Sequence, residues 1–439
     1  MTKPFFFFLW NHVAMRASRR FGLCCLSHYK DDESKTFEEH WNSPGMKQIR
    51  VDMMNNTPSE LCKRCKEGKS TPGESREIHN EMAKDYIDEM LDKTSSDGFT
   101  TFIPRTIDLR TDHCNFKCKF CIQGSSTSIR AEEIKLGRDV AVYGPLSEVE
   151  NLALPDGLFE NLEYAYWSGG EPFMSPIHWR IMEKLVKIGN TKPLIRYNTN
   201  LSFPGSTINK AINLLKNFEN IEIGCSIEGF GEDAEYLRDG LVFDDFSNNI
   251  RLIQENIPHA KIMCIYNATS LGLLSLVELL DHCENDLKID IIRCGTIVLE
   301  KNNPLGYHAL NPKTFSFEIN RILDYAKTSK FKDQIEQYVN FLLHRFDPRE
   351  VDIEIINDLE KLRGKQGYFE NRMSGKYNVR RNKKLSKDVK IKCLAPWSHL
   401  HVNSTGECGL CQVSNVKNGN NTFEEHWNSD LMKNLRASM

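Results

Sequence analysis

The middle of the chain alternates short apolar runs with longer segments whose apolar residues recur at helical spacing. Six short runs rich in β-branched residues lie at Arg105–Arg110, Tyr164–Ser168, Leu194–Asn198, Ile221–Ile227, Lys261–Tyr266 and Ile289–Cys294. Runs of this kind are typical of strands buried in a parallel sheet. Amphipathic helices are predicted between several of them, at Ile177–Ile188, Ser206–Phe218 and Phe246–Ile257. The pattern predicts an α/β fold in which a parallel sheet with helical crossovers curves into a partial (β/α)6 barrel.

The two ends of the chain carry copies of one sequence. Thr36–Ser43 reads TFEEHWNS, and Thr422–Ser429 reads the same eight residues. Further matches lie upstream of this octapeptide, where Trp10 corresponds to Trp397, His12 to His399 and Cys24 to Cys411. Self-similarity of this length indicates two copies of one structural module.

The repeat and the strand pattern together divide the chain into four segments. Residues 1–85 are expected to form an N-terminal cysteine-containing module, and residues 100–300 the partial barrel. Residues 301–390 are predicted to be a helical extension and a linker, because an amphipathic stretch is followed by a basic, loop-like one. Residues 391–439 form the C-terminal cysteine-containing module.

Composition and charge narrow the class of protein. The chain has 439 residues, of which 40% are hydrophobic and 27% charged, which is typical of a soluble globular protein. Its 57 Lys and Arg against 60 Asp and Glu give a net charge of −3, which does not favour nucleic acid as a partner. No apolar run approaches the roughly 20 residues of a membrane-spanning helix. We therefore expect a cytoplasmic protein without a membrane partner.

Fourteen cysteines are the one unusual feature of the composition. In a reducing compartment they favour metal binding or redox chemistry over disulfide bonds. Four isolated cysteines in apolar contexts, Cys225, Cys264, Cys283 and Cys294, are expected to be small core side chains.

A cysteine triplet, Cys114-x-x-x-Cys118-x-x-Cys121, directly follows the first predicted strand. Tetrahedral zinc requires four ligands, and only His113 lies nearby as a fourth candidate. Three thiolates can instead hold an iron–sulfur cubane and leave one iron open for a ligand. The triplet therefore predicts a [4Fe-4S] cluster with a vacant coordination site.

The triplet with its aromatic Phe120, followed by Trp167-Ser-Gly169-Gly170-Glu171-Pro172 after the second strand, resembles the radical S-adenosylmethionine (radical SAM) enzymes. The resemblance spans Thr100 to Cys294 and implies Cys114, Cys118 and Cys121 as cluster ligands. It further implies that S-adenosylmethionine chelates the open iron and is cleaved reductively to a 5′-deoxyadenosyl radical. Gly169, Gly170 and Glu171 would present backbone groups to the cofactor's amine, because glycine permits a close approach of the main chain.

Two later segments, Cys225–Phe230 and Tyr236–Gly240, resemble further motifs of the same family. This resemblance implies that Ser226 and Arg238 contact the amino acid portion of the cofactor. Arginine suits a carboxylate because its fork donates two parallel hydrogen bonds. Its ordinary alternative is a solvated pair with the neighbouring Asp239.

The C-terminal copy resembles the SPASM/Twitch domains, which hold auxiliary iron–sulfur clusters, in the spacing of Cys393, Gly406 and Cys411. In one arrangement the N-terminal copy uses Cys24, Cys62 and Cys65, and the C-terminal copy uses Cys393, Cys408 and Cys411. In another, Cys393 and Cys411 join Cys62 and Cys65 around one cluster. The first arrangement is favoured, with zinc at Cys62-x-x-Cys65 as an alternative, so we expect one or two auxiliary clusters.

These features together predict a radical SAM enzyme that abstracts hydrogen from its substrate, with an electron donor such as flavodoxin or ferredoxin. A peptide or protein is the first substrate class, and a nucleotide, sugar or other small metabolite is the second. A non-catalytic iron–sulfur or zinc module is the alternative outside enzymes. The residues do not distinguish an oxidoreductase from a transferase or an isomerase.

Overall fold

The structure, a computed structural model, describes residues 8–16, 21–24, 36–55, 57, 61, 84–140, 154–203, 205–295, 305–307, 310, 312–345, 401–402 and 408–409. The chain divides into two compact units, Met1–Gly364 and Lys365–Met439.

Strands are found in both units. In chain order they are β1 (His12–Met15), β2 (Phe21–Gly22), β3 (Thr106–Thr111), β4 (Tyr164–Gly169), β5 (Leu194–Thr199), β6 (Asn220–Ser226), β7 (Lys261–Asn267), β8 (Ile291–Gly295), β9 (His401–Val402) and β10 (Cys408–Gly409).

The first unit contains a mostly parallel sheet of eight strands in the order β2-β1-β3-β4-β5-β6-β7-β8. The strands β3 to β8 are the six that the apolar runs predict, and each pairs in parallel with the next along the chain. Sequential parallel strands require crossovers on one face of the sheet, and the helices supply them. The mixed α/β class is thereby confirmed.

The sequence did not predict that the N-terminal segment would extend this sheet. Strand β1 pairs in parallel with β3, with His12 opposite Thr106, and β2 pairs with β1 in antiparallel fashion. The imidazole Nδ1 of His12 lies 3.0 Å from Thr106 Oγ1, so a buried side-chain hydrogen bond fixes the register. Four residues give too short a pattern to distinguish a strand from a loop, which is why the segment was missed.

Helices connect the strands and follow the last of them. In chain order they are α1 (Phe8–Asn11), α2 (Phe37–Trp41), α3 (Pro44–Met54), α4 (Ile87–Asp92), α5 (Thr127–Lys135), α6 (Asp156–Glu160), α7 (Pro176–Ile188), α8 (Gly205–Leu215), α9 (Glu232–Leu237), α10 (Phe243–Asn256), α11 (Ser270–Leu274), α12 (Leu276–Asp281), α13 (Pro312–Ala326) and α14 (Lys332–Arg345). Single turns of other helix types lie at Lys84–Tyr86, Gln123–Ser125, Pro172–Met174 and His282–Asp286.

The three amphipathic segments of the sequence form helices, as predicted: α7, α8 and α10. Helix α7 begins with a proline at its first position and ends at Gly189, whose φ of 78° gives the left-handed cap that glycine adopts without strain. Its buried residues include Ile181, Met182 and Leu185, which pack in the core between helix and sheet. These three residues of α7 therefore lie on the face of the sheet that the helices cover.

The first copy of the repeated octapeptide forms helix α2 and the N-cap of α3. Thr36 and Glu39 form a reciprocal capping box, and Ser43 caps the next helix. The indole of Trp41 donates to the carbonyl of Phe102 at 3.0 Å, just before β3. These contacts attach the N-terminal copy to the edge of the sheet.

The second copy forms the same hairpin within the other unit. In the first copy Ala14 pairs with Gly22 and Met15 with Phe21. In the second, the corresponding residues pair in the same register, His401 with Gly409 and Val402 with Cys408. One sequence module therefore adopts one strand arrangement at both ends of the chain.

Within the described residues, no helix is both long and apolar enough to cross a membrane.

Replacing Trp41 with alanine should lower the free energy of unfolding by about 3–5 kcal/mol, because it removes a large buried side chain. It also leaves the carbonyl of Phe102 without its indole donor. Urea unfolding curves measure the change. Lys47→Ala is the control, because Lys47 makes only an exposed ion pair with Asp97 and its loss should cost less than about 0.5 kcal/mol. Equal stability of the two variants would contradict the docking of this copy on the sheet.

Candidate active site

The cysteine triplet lies on the loop between strand β3 and helix α5. All three thiols are free and partly buried. The loop is anchored by Phe116, which is 1% exposed and whose carbonyl accepts a hydrogen bond of 2.7 Å from Ser126 Oγ. Loops at the carboxyl ends of parallel strands are where such folds place their sites.

The same loop pairs with the segment that follows helix α9. The amide of Lys117 donates to the carbonyl of Asp239 at 2.8 Å, and that of Lys119 donates to Leu237 at 2.9 Å. This backbone pairing brings Arg238 beside Cys118, although the two residues are 120 positions apart.

The three thiols influence each other electrostatically. The pKa of Cys114 is raised to about 12, mainly by burial and also by negative charge on Glu171, Cys118 or Cys121. Burial also raises the pKa of Cys118 to about 11, against the opposing effect of the Arg238 charge, and raises that of Cys121. Three neighbouring thiolates would therefore need a strongly positive ligand, and bound iron supplies one.

Within the described part of the chain, no three His, Cys, Asp or Glu side chains are arranged to hold a single metal ion. A cubane differs from a single ion because each thiolate binds a separate iron, so its ligands stand further apart. Three partly exposed thiols on one loop fit such a cluster.

The loop of Gly169 and Gly170 lies directly against the cysteine loop. The amide of Gly170 donates to Thr111 O and that of Glu171 to His113 O, both at 2.6 Å. A Cβ at Gly170 would stand 2.2 Å from His113 O, and Gly169 has a φ of 102°. Both positions require glycine so that the two loops can meet. The acceptors that this segment can offer an amine are its carbonyl oxygens, because backbone amides only donate.

The side chain of Glu171 is a structural link between strand ends. It is fully buried and accepts hydrogen bonds from Thr199 Oγ1 at 2.9 Å and from the amides of Asn200 and Phe173 at 2.7 and 3.1 Å. Asn200 in turn donates to Asn115 Oδ1, on the cysteine loop, at 2.9 Å. The family resemblance had implied a role only for the backbone of Glu171, and not for its side chain. The network ties the ends of β4 and β5 to the loop after β3.

Arg238 has a partner that the sequence did not predict. Its Nε donates to Glu228 Oε2 at 2.5 Å and its Nη2 to Glu228 Oε1 at 2.8 Å. Asp239, the expected surface partner, lies instead near Lys117 and Lys119. The Nη1 of Arg238 lies 4.0 Å from Cys118 Sγ.

The other predicted residues of the cofactor site lie near the same strand ends. Phe120 is partly buried, with its ring centroid 5.5 Å from the guanidinium carbon of Arg238. Ser226 is partly buried and ends β6.

The predicted auxiliary ligands lie mostly outside the described residues, namely Cys62, Cys65, Cys393 and Cys411. Cys24 is partly buried, and Cys408 begins β10. The auxiliary sites therefore stay predictions. The buried thiols of Cys225, Cys264 and Cys283 confirm their expected place in the core.

The face of the sheet opposite the helices carries polar residues that the sequence reasoning missed. Trp167 and Tyr197 contact His178 on helix α7, so their neighbours along each strand point the other way. On that side Arg196 lies 3.8 Å from Glu222 and near the ring of Tyr166. Alternation within the strands is the signal that could have identified this polar face.

Residues 109–280 match the Radical SAM superfamily, from within β3 to within α12. This part of the chain is similar to that superfamily, and the protein is an enzyme. No curated protein matches it.

Three solved structures are similar in part. SuiB of Streptococcus suis bound to S-adenosylmethionine is 13% identical, with 88% of this chain and 80% of that chain covered and a TM-score of 0.38. The enzyme anSMEcpe with bound AdoMet and Cp18Cys peptide is 17% identical, with 50% and 58% covered and a TM-score of 0.33. TYW1 with a lysine-pyruvate adduct is 13% identical, with 62% and 90% covered and a TM-score of 0.29. The family match, and not these three likenesses, bears on function.

The stability of the wild type should fall between about pH 4.5 and pH 7 because of Glu171. Burial raises the pKa of this carboxyl from 4.5 to about 7, despite the hydrogen bonds that favour its charged form. A raised folded-state pKa means that the folded chain holds the proton more tightly. Its stabilising contribution is therefore complete below pH 4.5 and is lost as the pH rises to about 7. The loss should be about 3 kcal/mol.

Urea unfolding at several pH values, for the wild type and for Glu171→Gln, isolates this contribution. The variant cannot ionise at this position, so its stability should fall less over the same range. Parallel pH profiles for the two proteins would contradict the assignment.

Proposed function

We propose that Cys114, Cys118 and Cys121 hold a [4Fe-4S] cluster that binds S-adenosylmethionine, and that the enzyme abstracts hydrogen from a peptide or protein substrate. The observation that carries this proposal is one loop with three free thiols, packed between the Gly169–Gly170 loop and Arg238. When bound, the cluster and S-adenosylmethionine supply one-electron cleavage of the sulfonium and a 5′-deoxyadenosyl radical.

The residues of the chain have separate tasks in this proposal. The three cysteines fix the cluster at one loop and leave one iron without a protein ligand. The carbonyl oxygens of the Gly169–Gly170 segment would accept hydrogen bonds from the amine of the cofactor, because an amine donates and a backbone carbonyl accepts. Ser226, partly exposed at the end of β6, supplies a hydroxyl at the same edge.

The charges on the polar face of the sheet favour a substrate that is polar but has no large net charge. This face carries two pairs of opposite charge, with Arg110 3.5 Å from Asp108 and Arg196 3.8 Å from Glu222. A peptide segment, which offers both donors and acceptors, suits paired charges better than a polyanion does. Flavodoxin or ferredoxin is the proposed electron donor.

Auxiliary clusters complete the proposal. The favoured arrangement uses Cys24, Cys62 and Cys65 in one module. The other module then uses Cys393, Cys408 and Cys411. The hairpins of the two modules share one register, which supports a common origin. The two modules differ in their cysteines, and Phe21 of the first module corresponds to Cys408 of the second. The buried ring of Phe21 stacks on His40, with ring centroids 4.8 Å apart.

Cys118→Ala should abolish formation of 5′-deoxyadenosine under reduction, because the cluster loses one of its three ligands. Cys264→Ala is the matched control, since Cys264 is buried in β7 away from the loop and its loss costs only packing. Chromatography of the anaerobic reaction measures the product. If both variants cleave S-adenosylmethionine as the wild type does, the ligand assignment is wrong. If the reconstituted wild type forms no 5′-deoxyadenosine, the proposed function is wrong.

The triple variant of Cys114, Cys118 and Cys121 to alanine should retain iron and sulfide if auxiliary clusters exist. Iron and sulfide contents measured anaerobically on the triple variant give the number of auxiliary clusters per chain, because only the loop cluster has been removed. One or two clusters per chain are expected to remain. Loss of all iron from the triple variant would contradict the proposed auxiliary clusters. It would not contradict the proposal that Cys114, Cys118 and Cys121 hold the loop cluster in the wild type.

A further inference from the structure

The pair of Arg238 and Glu228 is a buried ion pair with a fixed direction. Glu228 is fully buried and Arg238 is 7% exposed. Two of the guanidinium nitrogens are bound by the carboxylate, and the third, Nη1, lies 4.0 Å from Cys118 Sγ. The positive end of the pair therefore faces the cysteine and the negative end faces away.

The negative end is held by its own contacts. Asn267, at the end of β7, donates from Nδ2 to Glu228 Oε1 at 2.9 Å. The backbone beside Glu228 is fixed as well, because the amide of Ile227 donates to Ile265 O. A carboxylate held in this way determines which edge of the guanidinium is left for Cys118.

The guanidinium stays charged in this position. Arginine keeps its proton in proteins, and Glu228 holds the guanidinium with two charge-assisted hydrogen bonds. The other charges on this stretch of the loop are Lys117 and Lys119, which lie near Asp239 at the surface and are screened by solvent. The buried pair is screened far less.

We propose that Glu228 is a positioning residue that directs the charge of Arg238 at Cys118, and that this fixed dipole raises the reduction potential of the loop cluster. An electron added to the cluster increases its negative charge, and a nearby cation in a buried setting stabilises that charge. The effect precedes cofactor binding. It differs from a carboxylate clamp, because the fork of Arg238 is already occupied by Glu228. The inference rests on the proposed function only in taking Cys118 as a cluster ligand.

The test is the midpoint potential of the cluster in the full chain without S-adenosylmethionine, followed by electron paramagnetic resonance. Glu228→Gln removes the negative end and keeps the shape, so the potential should rise. The double variant Glu228→Gln with Arg238→Gln removes both charges without leaving an unpaired buried one, and its potential should fall below the wild type. Each step should change the ratio of reduced to oxidised cluster at least tenfold, which is about 59 mV for one electron.

Asp239→Asn is the matched control, because it also removes one negative charge close to the cysteine loop. Its carboxylate is 39% exposed and pairs with surface lysines, so the potential should change much less. The inference is overturned if Glu228→Gln shifts the potential no more than Asp239→Asn, or if the double variant does not fall below the wild type.

The outcome for the wild type separates this inference from the proposed function. A wild type that assembles no cluster on the loop overturns both. If the wild type cleaves S-adenosylmethionine but the variants do not show the expected order of potentials, the proposed function stands. Only the proposed effect of the Glu228–Arg238 pair on the reduction potential is then overturned.

Discussion

The site depends on the close approach of two backbones at the carboxyl ends of neighbouring parallel strands. The cysteine loop after β3 and the Gly169–Gly170 loop after β4 are joined by two amide hydrogen bonds of 2.6 Å. A side chain at Gly170 would meet the carbonyl of His113 before the loops could come together. The glycines therefore shape the cysteine loop.

Two buried carboxylates, those of Glu171 and Glu228, link the residues around these loops by hydrogen bonds. Glu171 joins the end of β4 to the end of β5 through Thr199 and Asn200. Glu228 holds Arg238, which reaches Cys118. Burying a charge is costly unless it is paired and hydrogen-bonded, so each carboxylate is surrounded by donors. These hydrogen bonds connect the cysteine loop to the neighbouring strand ends.

The repeated module serves the two ends of the chain in different ways. In the first unit its hairpin extends the parallel sheet, with β1 paired to β3. In the second unit the same hairpin carries Cys408 at the position that corresponds to Phe21. An aromatic ring at this position stacks on His40 and strengthens packing, whereas a thiol is able to bind metal. The same strand arrangement thus carries an aromatic side chain at one end of the chain and a cysteine at the other.

The sequence by itself determined the six parallel strands β3 to β8, the amphipathic helices between them and the cysteine triplet, because these are local patterns of period and spacing. The tertiary structure alone decided the two added strands, the link made by Glu171 and the partner of Arg238. Arg238 and Cys118 are separated by 120 residues, and a local pattern carries no information about which buried carboxylate an arginine will meet. Contacts of this kind follow from the order of strands in the sheet, which places distant loops at one edge.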